Sequence, residues 1–324
     1  MNQVADRCKG VIFGHAIGDA LGLGAEFMPK ATVTANYPNG LDRYSQIIQD
    51  PHRRRWAIGD WTDDTDQMLC IFDSILEGHD VSILDIAKRI RAWVAEDGMG
   101  IGNTVWSVLQ SRYFLSAPHL AAQYVWESTG RHVASNGGVM RTSILGVWGY
   151  DSLAEVKKNA AKVCRITHYD PRCVGSCVAV STAIALLLQG KEAFSEILDI
   201  VSHESAGYSP ELDKYLEMAA TGTLEDFDLD EGLTATELGS IGYTLKAMGA
   251  RFWALKNAPS YRDGVLQVIH EGGDADTNAA VVGAILGAKF GFANIPAIWV
   301  TELRDANELD ARVTRMLGLL GLVE

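Results

Sequence analysis

The sequence predicts an all-α protein that forms one domain over residues 1–324. Apolar residues recur with helical spacing in most segments, whereas the alternation typical of strands is scarce. The connections are short and rich in Gly, Asp, Asn and Pro, and no Pro/Gly/Ser-rich linker or repeat of fixed period divides the chain. We therefore expect eight or more helices that share one core.

The helical spacing places the elements in order along the chain. A strongly apolar helix follows Tyr169-Asp170-Pro171 and runs to about Gly190, so it must be buried on most sides. Its longest apolar run, Cys177 to Leu188, is too short to cross a bilayer. The other helices are predicted at about residues 4–22, 83–96, 104–114, 152–167, 193–203, 242–257 and 260–270.

Two acidic segments, more than two hundred residues apart, have the same composition. They are Gly59-Asp60-Trp61-Thr62-Asp63-Asp64-Thr65 and Gly272-Gly273-Asp274-Ala275-Asp276-Thr277. Each follows a glycine-marked turn and opens an apolar helical run, so Thr62 or Asp63 can cap the first helix. In the second helix Gly283, Gly287 and Gly291 recur every four residues, which lets another backbone approach closely.

This repeated pattern indicates a metal site. Carboxylate and hydroxyl oxygens are the ligands that hard divalent cations prefer, and two neighbouring cations need several carboxylates from different parts of the chain. One such segment alone is more often a helix cap with a spare acid in a turn. Because the pattern occurs twice, we interpret the segments as two halves of one site.

Composition and charge restrict the partners and the compartment. The formal net charge of -13 argues against a nucleic-acid backbone as the main partner. Five cysteines without a Cys-x-x-Cys pair indicate free thiols in a reducing compartment, and the first residues lack the features of a signal peptide. We expect a cytoplasmic protein that makes no membrane contact and is a monomer.

Two charged stretches outside the acidic segments have an ordinary interpretation. Residues 225–231 read Glu-Asp-Phe-Asp-Leu-Asp-Glu and are interpreted as a solvated loop in preference to a substrate lid. The basic cluster Arg53-Arg54-Arg55 precedes the first acidic segment. It could contact a phosphate or an acidic protein, but a solvated turn is the preferred interpretation.

Five motifs occur in order along nearly the whole chain, and together they resemble those of the ADP-ribosylglycohydrolases. This superfamily includes the dinitrogenase reductase-activating glycohydrolase and the ADP-ribosyl-acceptor hydrolases. Any one motif alone would be a weak signal. The motifs are Gly14-His15-Ala16-Ile17-Gly18-Asp19-Ala20-Leu21-Gly22 followed by Glu26, Trp61-Thr62-Asp63-Asp64-Thr65, Ser135-Asn136-Gly137-Gly138-Val139-Met140-Arg141, Thr167-His168, and Gly272-Gly273-Asp274-Ala275-Asp276-Thr277.

The resemblance implies a compact orthogonal bundle of helices with a binuclear Mg²⁺ or Mn²⁺ site in a surface cleft. It implies hydrolysis of the bond between ADP-ribose and an acceptor such as a protein arginine or serine, with an ADP-ribosylated protein or a small-molecule conjugate as substrate. The implied metal ligands are Thr62, Asp63, Asp64, Asp274, Asp276 and Thr277. The implied substrate-binding residues are Glu26, Gly102, Asn136, Gly137, Gly138, Met140 and His168.

The chemistry of this reaction assigns a role to Glu26. Cleavage at the anomeric carbon passes through an oxocarbenium-like transition state and needs an acid or base for proton transfer. Glu26 is the first candidate, because the resemblance places it near the metals without making it a permanent ligand. Asp64 or Asp276 could share the catalytic role.

One position departs from the family pattern. Many relatives carry an acid in an Asp-Ile-Gly-x-Thr stretch, whereas this chain has Gly100 there, in Gly100-Ile101-Gly102-Asn103-Thr104. Asp97 lies three residues earlier and could reach the same space through the flexible segment that follows it. The acceptor is therefore left open by the sequence.

Three other interpretations compete with this one. An all-α isoprenoid diphosphate synthase would carry Asp-Asp-x-x-Asp inside helices, unlike Asp63-Asp64-Thr65-Asp66 at a helix start. A calcium loop beginning at Asp274 would need glycine and glutamate where Ala279 and Ile285 stand. A non-catalytic ADP-ribose-binding or structural relative is the third, and it would bind the ligand without turnover.

Overall fold

Helices account for nearly all of the regular structure. A computed structural model describes residues 2–232 and 241–322, and over these residues the chain forms fifteen α-helices and two strands of two residues each. The predicted all-α class is confirmed. The strands are β1 (Met28–Pro29) and β2 (Gly272–Gly273), and the helices are α1 (Gln3–Gly22), α2 (Lys30–Asn36), α3 (Asp63–Gly78), α4 (Ile83–Glu96), α5 (Asn103–Leu109), α6 (Pro118–Ser128), α7 (Leu153–Cys164), α8 (Pro171–Leu188), α9 (Phe194–Ser205), α10 (Glu211–Thr221), α11 (Thr244–Asn257), α12 (Tyr261–His270), α13 (Ala275–Phe290), α14 (Ala297–Thr301) and α15 (Ala306–Leu319).

Most predicted helices begin and end close to their expected positions. The exceptions are α5 and α7, which end at Leu109 and Cys164, earlier than the spacing predicts. The helical spacing does not reveal α2, α6, α10, α14 or α15. In α6 the cause is the exposure of two apolar residues, since Leu120 and Tyr124 are 63% and 70% exposed and obscure the periodicity.

The helices α1 and α13 pack backbone against backbone. A Cβ on Gly10 would lie 2.4 Å from the carbonyl oxygen of Gly287, and one on Gly14 would lie 2.3 Å from that of Gly283. The two helices are antiparallel, because residue numbers rise along one as they fall along the other. The predicted close approach is confirmed at Gly283 and Gly287, whereas Gly291 lies beyond the helix with a φ of 83°.

The helix α8 lies in the core. Asp170 caps it by accepting a hydrogen bond from the amide of Arg172, and Pro171 occupies its first position. The helix begins directly after Asp170, as predicted. The apolar stretch is therefore longer than the run from Cys177 to Leu188, and the prediction that no apolar run is long enough to cross a bilayer is wrong by length and composition. By length and composition residues 171–188 would suffice, but 89% of this window is buried inside the fold, as in the core helix of a globular protein.

The acidic stretch at residues 225–231 is tied to the fold. Phe227 and Leu229 are buried. The amide of Lys30, at the start of α2, donates to Oδ2 of Asp230 at 2.7 Å. The acids Glu225, Asp226, Asp228 and Glu231 are exposed, as the interpretation of a solvated loop expects. That interpretation is wrong only for Phe227, Leu229 and Asp230, which anchor the loop.

Arg53, the first residue of the basic cluster, is also buried rather than solvated. Its Nε donates to the carbonyl oxygens of Leu23 and Gly24, at 2.9 and 3.0 Å. Its Nη2 donates to the carbonyl oxygen of Glu26. The interpretation as a solvated turn is wrong for Arg53, because this guanidinium holds the turn that follows α1.

Two short backbone pairings position the loops around the acidic segments. The antiparallel pair of β1 and β2 joins Met28 to Gly273, so the turn that carries Glu26 lies beside the second acidic segment. An isolated antiparallel bridge joins Ser135 to Tyr243. Each pairing brings two distant parts of the chain together.

Candidate active site

Asp19, on α1, fixes the start of α3. Its Oδ1 accepts hydrogen bonds from the amide and the hydroxyl of Thr62, at 3.0 and 2.8 Å. Its Oδ2 accepts from the amide and the hydroxyl of Thr65, at 3.0 and 2.6 Å. The Thr62 side chain makes no capping bond, so the prediction that Thr62 or Asp63 caps α3 is wrong. Sequence reasoning gave Asp19 no role, although it stands in the Gly18-Asp19 motif.

The two acidic segments lie side by side. Thr62 Oγ1 is 3.5 Å from Oδ2 of Asp64 and 3.4 Å from Oδ2 of Asp276. Thr277 Oγ1 lies 3.3 Å from the same Oδ2 of Asp64. Over the described residues, Oδ1 of Asp64 and Oδ1 of Asp276 are buried without a hydrogen-bond partner. Because buried carboxylate oxygens are nearly always bonded, these two atoms are suited to bind a ligand.

Glu26 lies close to the second acidic segment. One carboxylate oxygen from each of Glu26, Asp274 and Asp276 lies within 4.8 Å of the other two. Asn136 approaches the same place and donates its Nδ2 to Oδ2 of Asp274 at 2.7 Å. The turn after α1, the start of α13 and the loop Asn136-Gly137-Gly138, called here the asparagine-glycine loop, therefore form an oxygen-lined position for a cation.

The buried acids repel one another. Burial raises the pKa values of Asp63, Asp64 and Asp276 well above the usual range, and neighbouring carboxylates raise them further. Burial also raises the pKa of Asp19 to about 7 and that of Asp274 to about 6. Hard divalent cations prefer all-oxygen sites and would compensate this charge. The donor set thus fits such ions.

A chain of hydrogen bonds runs from the first acidic segment to His168. Gln67 donates from Nε2 to Oδ2 of Asp63 at 2.9 Å, and its Oε1 accepts from Nη1 of Arg141 at 2.7 Å. The other end of the Arg141 guanidinium donates from Nη2 to Thr167 Oγ1. Thr167 Oγ1 in turn lies 2.8 Å from Nδ1 of His168. The orientation of Asp63 is therefore linked to that of the imidazole.

His168 is held as a neutral ring. Burial, followed by the charge of Arg141, lowers its pKa to about 3. Its Nε2 lies 3.0 Å from Ser135 Oγ, and that hydroxyl lies 2.9 Å from Thr104 Oγ1. With both nitrogens engaged, the ring is suited to positioning rather than to proton transfer near neutral pH.

The asparagine-glycine loop requires its two glycines for packing. A Cβ on Gly137 would lie 2.9 Å from Cε1 of His168, and one on Gly138 would lie 3.0 Å from Sγ of Cys164. Met140, at the end of the loop, is buried. Close packing is therefore one reason for glycine at these two positions, and the approach of backbone amides to an anion is a second, separate reason.

Gly100 and Gly102 have different surroundings. A Cβ on Gly100 would lie 2.6 Å from Oδ1 of Asp63, and the φ of Gly100 is 91°. A Cβ on Gly102 would meet nothing within 4 Å, and Asp97 is exposed. An acid at position 100 would not fit in this structure unless the carboxylate of Asp63 moved.

The fold and the acidic cluster define a helical protein with an oxygen-rich site suited to divalent cations. Residues 1–323 match the family model described as ADP-ribosylglycohydrolase, and the chain belongs to this family. The predicted family is thus confirmed, and the isoprenoid-synthase and calcium-loop interpretations are set aside.

Known proteins resemble the chain over nearly its whole length. The ADP-ribosylarginine hydrolase Tri1 of Serratia proteamaculans is 27% identical, over 93% of this chain and 76% of its own. The ADP-ribosyl-[dinitrogen reductase] glycohydrolase of Rhodospirillum rubrum is 26% identical, over 99% of this chain and 98% of its own. A solved structure described as an ADP-ribosylglycohydrolase-related protein complex has a TM-score of 0.75 and 25% identity, covering 98% of this chain and 99% of its own.

Proposed function

We propose that the protein is a divalent-cation-dependent hydrolase that cleaves the bond between the anomeric carbon of ADP-ribose and an acceptor, and so reverses ADP-ribosylation. The observation that carries this proposal is the convergence of buried acids from two helix starts, with Oδ1 of Asp64 and Oδ1 of Asp276 unbonded over the described residues. The relatives act, by their names, on ADP-ribosylarginine and on ADP-ribosyl-dinitrogen reductase. The substrate proposed here is an ADP-ribosylated protein or a small-molecule conjugate.

The two acidic segments would hold two Mg²⁺ or Mn²⁺ ions. When bound there, such ions would supply Lewis-acid chemistry that favours orientation of sugar hydroxyls and activation of water. The chain itself orients the carboxylates beforehand, because Asp19 holds the first segment and Asn136 bonds Asp274. The ligands would be Thr62, Asp63, Asp64, Asp274, Asp276 and Thr277.

The asparagine-glycine loop would bind the ribose and phosphates. Backbone amides in a glycine-rich turn are suited to bind an anion. The ring of His168 supports the loop from behind, since a Cβ on Gly137 would contact it. Gly102 has open space on its Cβ side and would admit the ligand at the start of α5.

Glu26 would be the general acid and base of the reaction. It is mostly buried and lies beside Asp274 and Asp276. A carboxylate at this place can accept the proton of the attacking water and deliver a proton to the leaving atom of the acceptor. Asp64 and Asp276 would share this role only in addition to cation binding.

The decisive experiment measures release of free ADP-ribose by mass spectrometry. Arginine-, serine- and nucleotide-linked conjugates are each incubated with the protein in Mg²⁺, in Mn²⁺ and in chelator. Release from one linkage that stops in chelator supports the proposal and identifies the acceptor. Tight ADP-ribose binding without release from any conjugate would instead favour a non-catalytic relative.

Two variants separate the proposed roles. Asp276→Ala should lose both activity and Mg²⁺ binding, whereas Glu26→Ala should lose turnover and keep ADP-ribose affinity. Asp226→Ala is the matched control, because this acid is exposed and, among the residues that the structure describes, its carboxylate bonds only Thr223. Full activity in Asp276→Ala would show that the assignment of two metals is wrong.

The proposal includes a monomer that acts in the cytoplasm, without membrane or nucleic acid. The net charge of -13 opposes binding to a nucleic-acid backbone. Light scattering on the purified chain tests the oligomeric state, and the mass of a dimer would overturn the monomer. Fractionation of cells that express the chain tests its location.

A further inference from the structure

The backbone around Glu26 is fixed independently of its carboxylate. Arg53 is buried and bonds the carbonyl oxygens of Leu23, Gly24 and Glu26. None of these bonds reaches the Glu26 side chain. Another group must therefore decide where the carboxylate points.

The carboxylate of Glu26 lies between two opposing neighbours. On one side are Asp274 and Asp276, whose negative charges repel it in the absence of a cation and would share a cation with it. On the other side His52 Nε2 lies 2.6 Å from Oε2 of Glu26. The Glu26 side chain is 10% exposed and that of His52 is 25% exposed, so the imidazole lies on the solvent side of the acid.

Arg55 determines which nitrogen of His52 carries the proton. Arg55 Nη2 lies 3.0 Å from Nδ1 of His52, and Arg55 Nε donates to the carbonyl oxygen of the same residue at 3.1 Å. A guanidinium can only donate, so Nδ1 must be the acceptor. The proton of the neutral ring is then on Nε2, which donates to Glu26.

Aromatic neighbours limit rotation of the imidazole. The ring centroid of His52 lies 5.3 Å from that of Phe27 and 5.3 Å from that of Trp56. The guanidinium of Arg55 lies over the ring of Trp56, 4.5 Å from its centroid. The donor to Glu26 is therefore held in one direction.

We infer that His52 is a positioning residue that holds Glu26 at the edge of the acidic cluster, with Arg55 fixing the tautomer that makes this possible. The inference rests on the proposed function, in which Glu26 moves protons rather than serving as a permanent cation ligand. One carboxylate oxygen of Glu26 already lies near Asp274 and Asp276, while His52 engages Oε2. Without His52, both oxygens of Glu26 are free to bind the cation together with these aspartates. The carboxylate would then gain a metal contact and lose its freedom to transfer protons.

The test compares His52→Leu, which removes the donor, with His52→Gln, whose amide can donate from nearly the same place. His52→Leu should lower kcat about tenfold or more with a smaller change in KM, and His52→Gln should restore most of the activity. Arg55→Ala should change kcat in the same direction to a smaller extent. Arg54→Ala is the matched control, since it removes an equal charge next to Arg55 and should have no effect.

Mg²⁺ affinity, measured by calorimetry without substrate, separates this inference from the proposed function. His52→Leu should bind Mg²⁺ about tenfold more tightly than the unmodified chain, while His52→Gln should match it. This result would support the role of His52 even if no conjugate were cleaved. If Mg²⁺ affinity and kcat in His52→Leu both stay within about twofold of the unmodified values, the inference is overturned. If His52→Leu fails to fold, kcat and Mg²⁺ affinity are both measured on Arg55→Ala instead.

Discussion

A Cβ on Gly287 would lie 1.9 Å from the carbonyl oxygen of Gly10, so α1 and α13 leave no room for a side chain at this position. Gly287→Ala should therefore force the helices apart and lower the free energy of unfolding by about 3 kcal/mol or more. Urea denaturation followed by circular dichroism measures the change.

Gly318→Ala is the control for the helix propensity of alanine. Gly318 lies on the exposed face of α15, and a Cβ there would meet nothing within 4 Å. This substitution should stabilise the protein by about 0.5–1 kcal/mol. Equal effects of the two substitutions would contradict the close packing of α1 and α13.

Asp276→Asn should change stability in opposite directions with and without cation. In chelator, removing one of several buried, mutually repelling carboxylates should raise the free energy of unfolding by roughly 1–3 kcal/mol. In Mg²⁺ at a hundred times its dissociation constant, the unmodified chain should gain about 2.7 kcal/mol and the variant much less. Thermal unfolding under both conditions gives the two values, and a variant that is less stable in chelator would argue against charge repulsion in the cluster.

Gly100→Ala should weaken Mg²⁺ binding. The new Cβ would lie 2.6 Å from Oδ1 of Asp63 and displace that carboxylate. We expect a loss of affinity of about tenfold by calorimetry. Gly149→Ala is the matched control, because its φ of 73° imposes similar backbone strain while a Cβ there meets nothing within 4 Å. Equal Mg²⁺ affinities in the two variants would show that the contact between residue 100 and Asp63 has no effect on Mg²⁺ binding.

Arg251→Met should stabilise the protein. Arg251 is fully buried, burial lowers its pKa well below the usual range, and none of its three guanidinium nitrogens has a partner among residues 2–232 and 241–322. An apolar side chain of similar length should raise the free energy of unfolding by about 1–3 kcal/mol.

Arg7→Met is the comparison for that substitution, because Arg7 bonds the carbonyl oxygen of Leu187 at 2.7 Å and Glu192 at 3.0 Å. It should lower the free energy of unfolding by about 0.5–1.5 kcal/mol. Chemical denaturation of both variants measures the two changes in the free energy of unfolding. A loss of stability in Arg251→Met would indicate that the guanidinium has a partner, such as an enclosed water or anion.

The sequence predicts the parts of this molecule that depend on neighbours along the chain. Helical periodicity identifies most helices, and the repeated acids at two helix starts identify Asp63 and Asp274. The role of Asp19 depends on α1 lying beside α3. Asp19 and Thr62 are 43 residues apart in sequence, so no local pattern predicts their contact. The burial of Arg53 is hidden for the same reason, because three carbonyl oxygens of a turn near Glu26 satisfy its guanidinium.

The contact between α1 and α13 also governs the order in which the protein can fold. The hydroxyl of Tyr261 bonds the carbonyl oxygen of Gly14, 247 residues earlier, beside the same pair of helices. In a nascent chain, the apolar and glycine-rich face of α1 therefore has no partner until α13 has been synthesised. Such distant closure slows folding and leaves that face open to wrong associations in the meantime. The second acidic segment can join the first only after α13 has been synthesised, whereas Asp19 and the first segment interact without it.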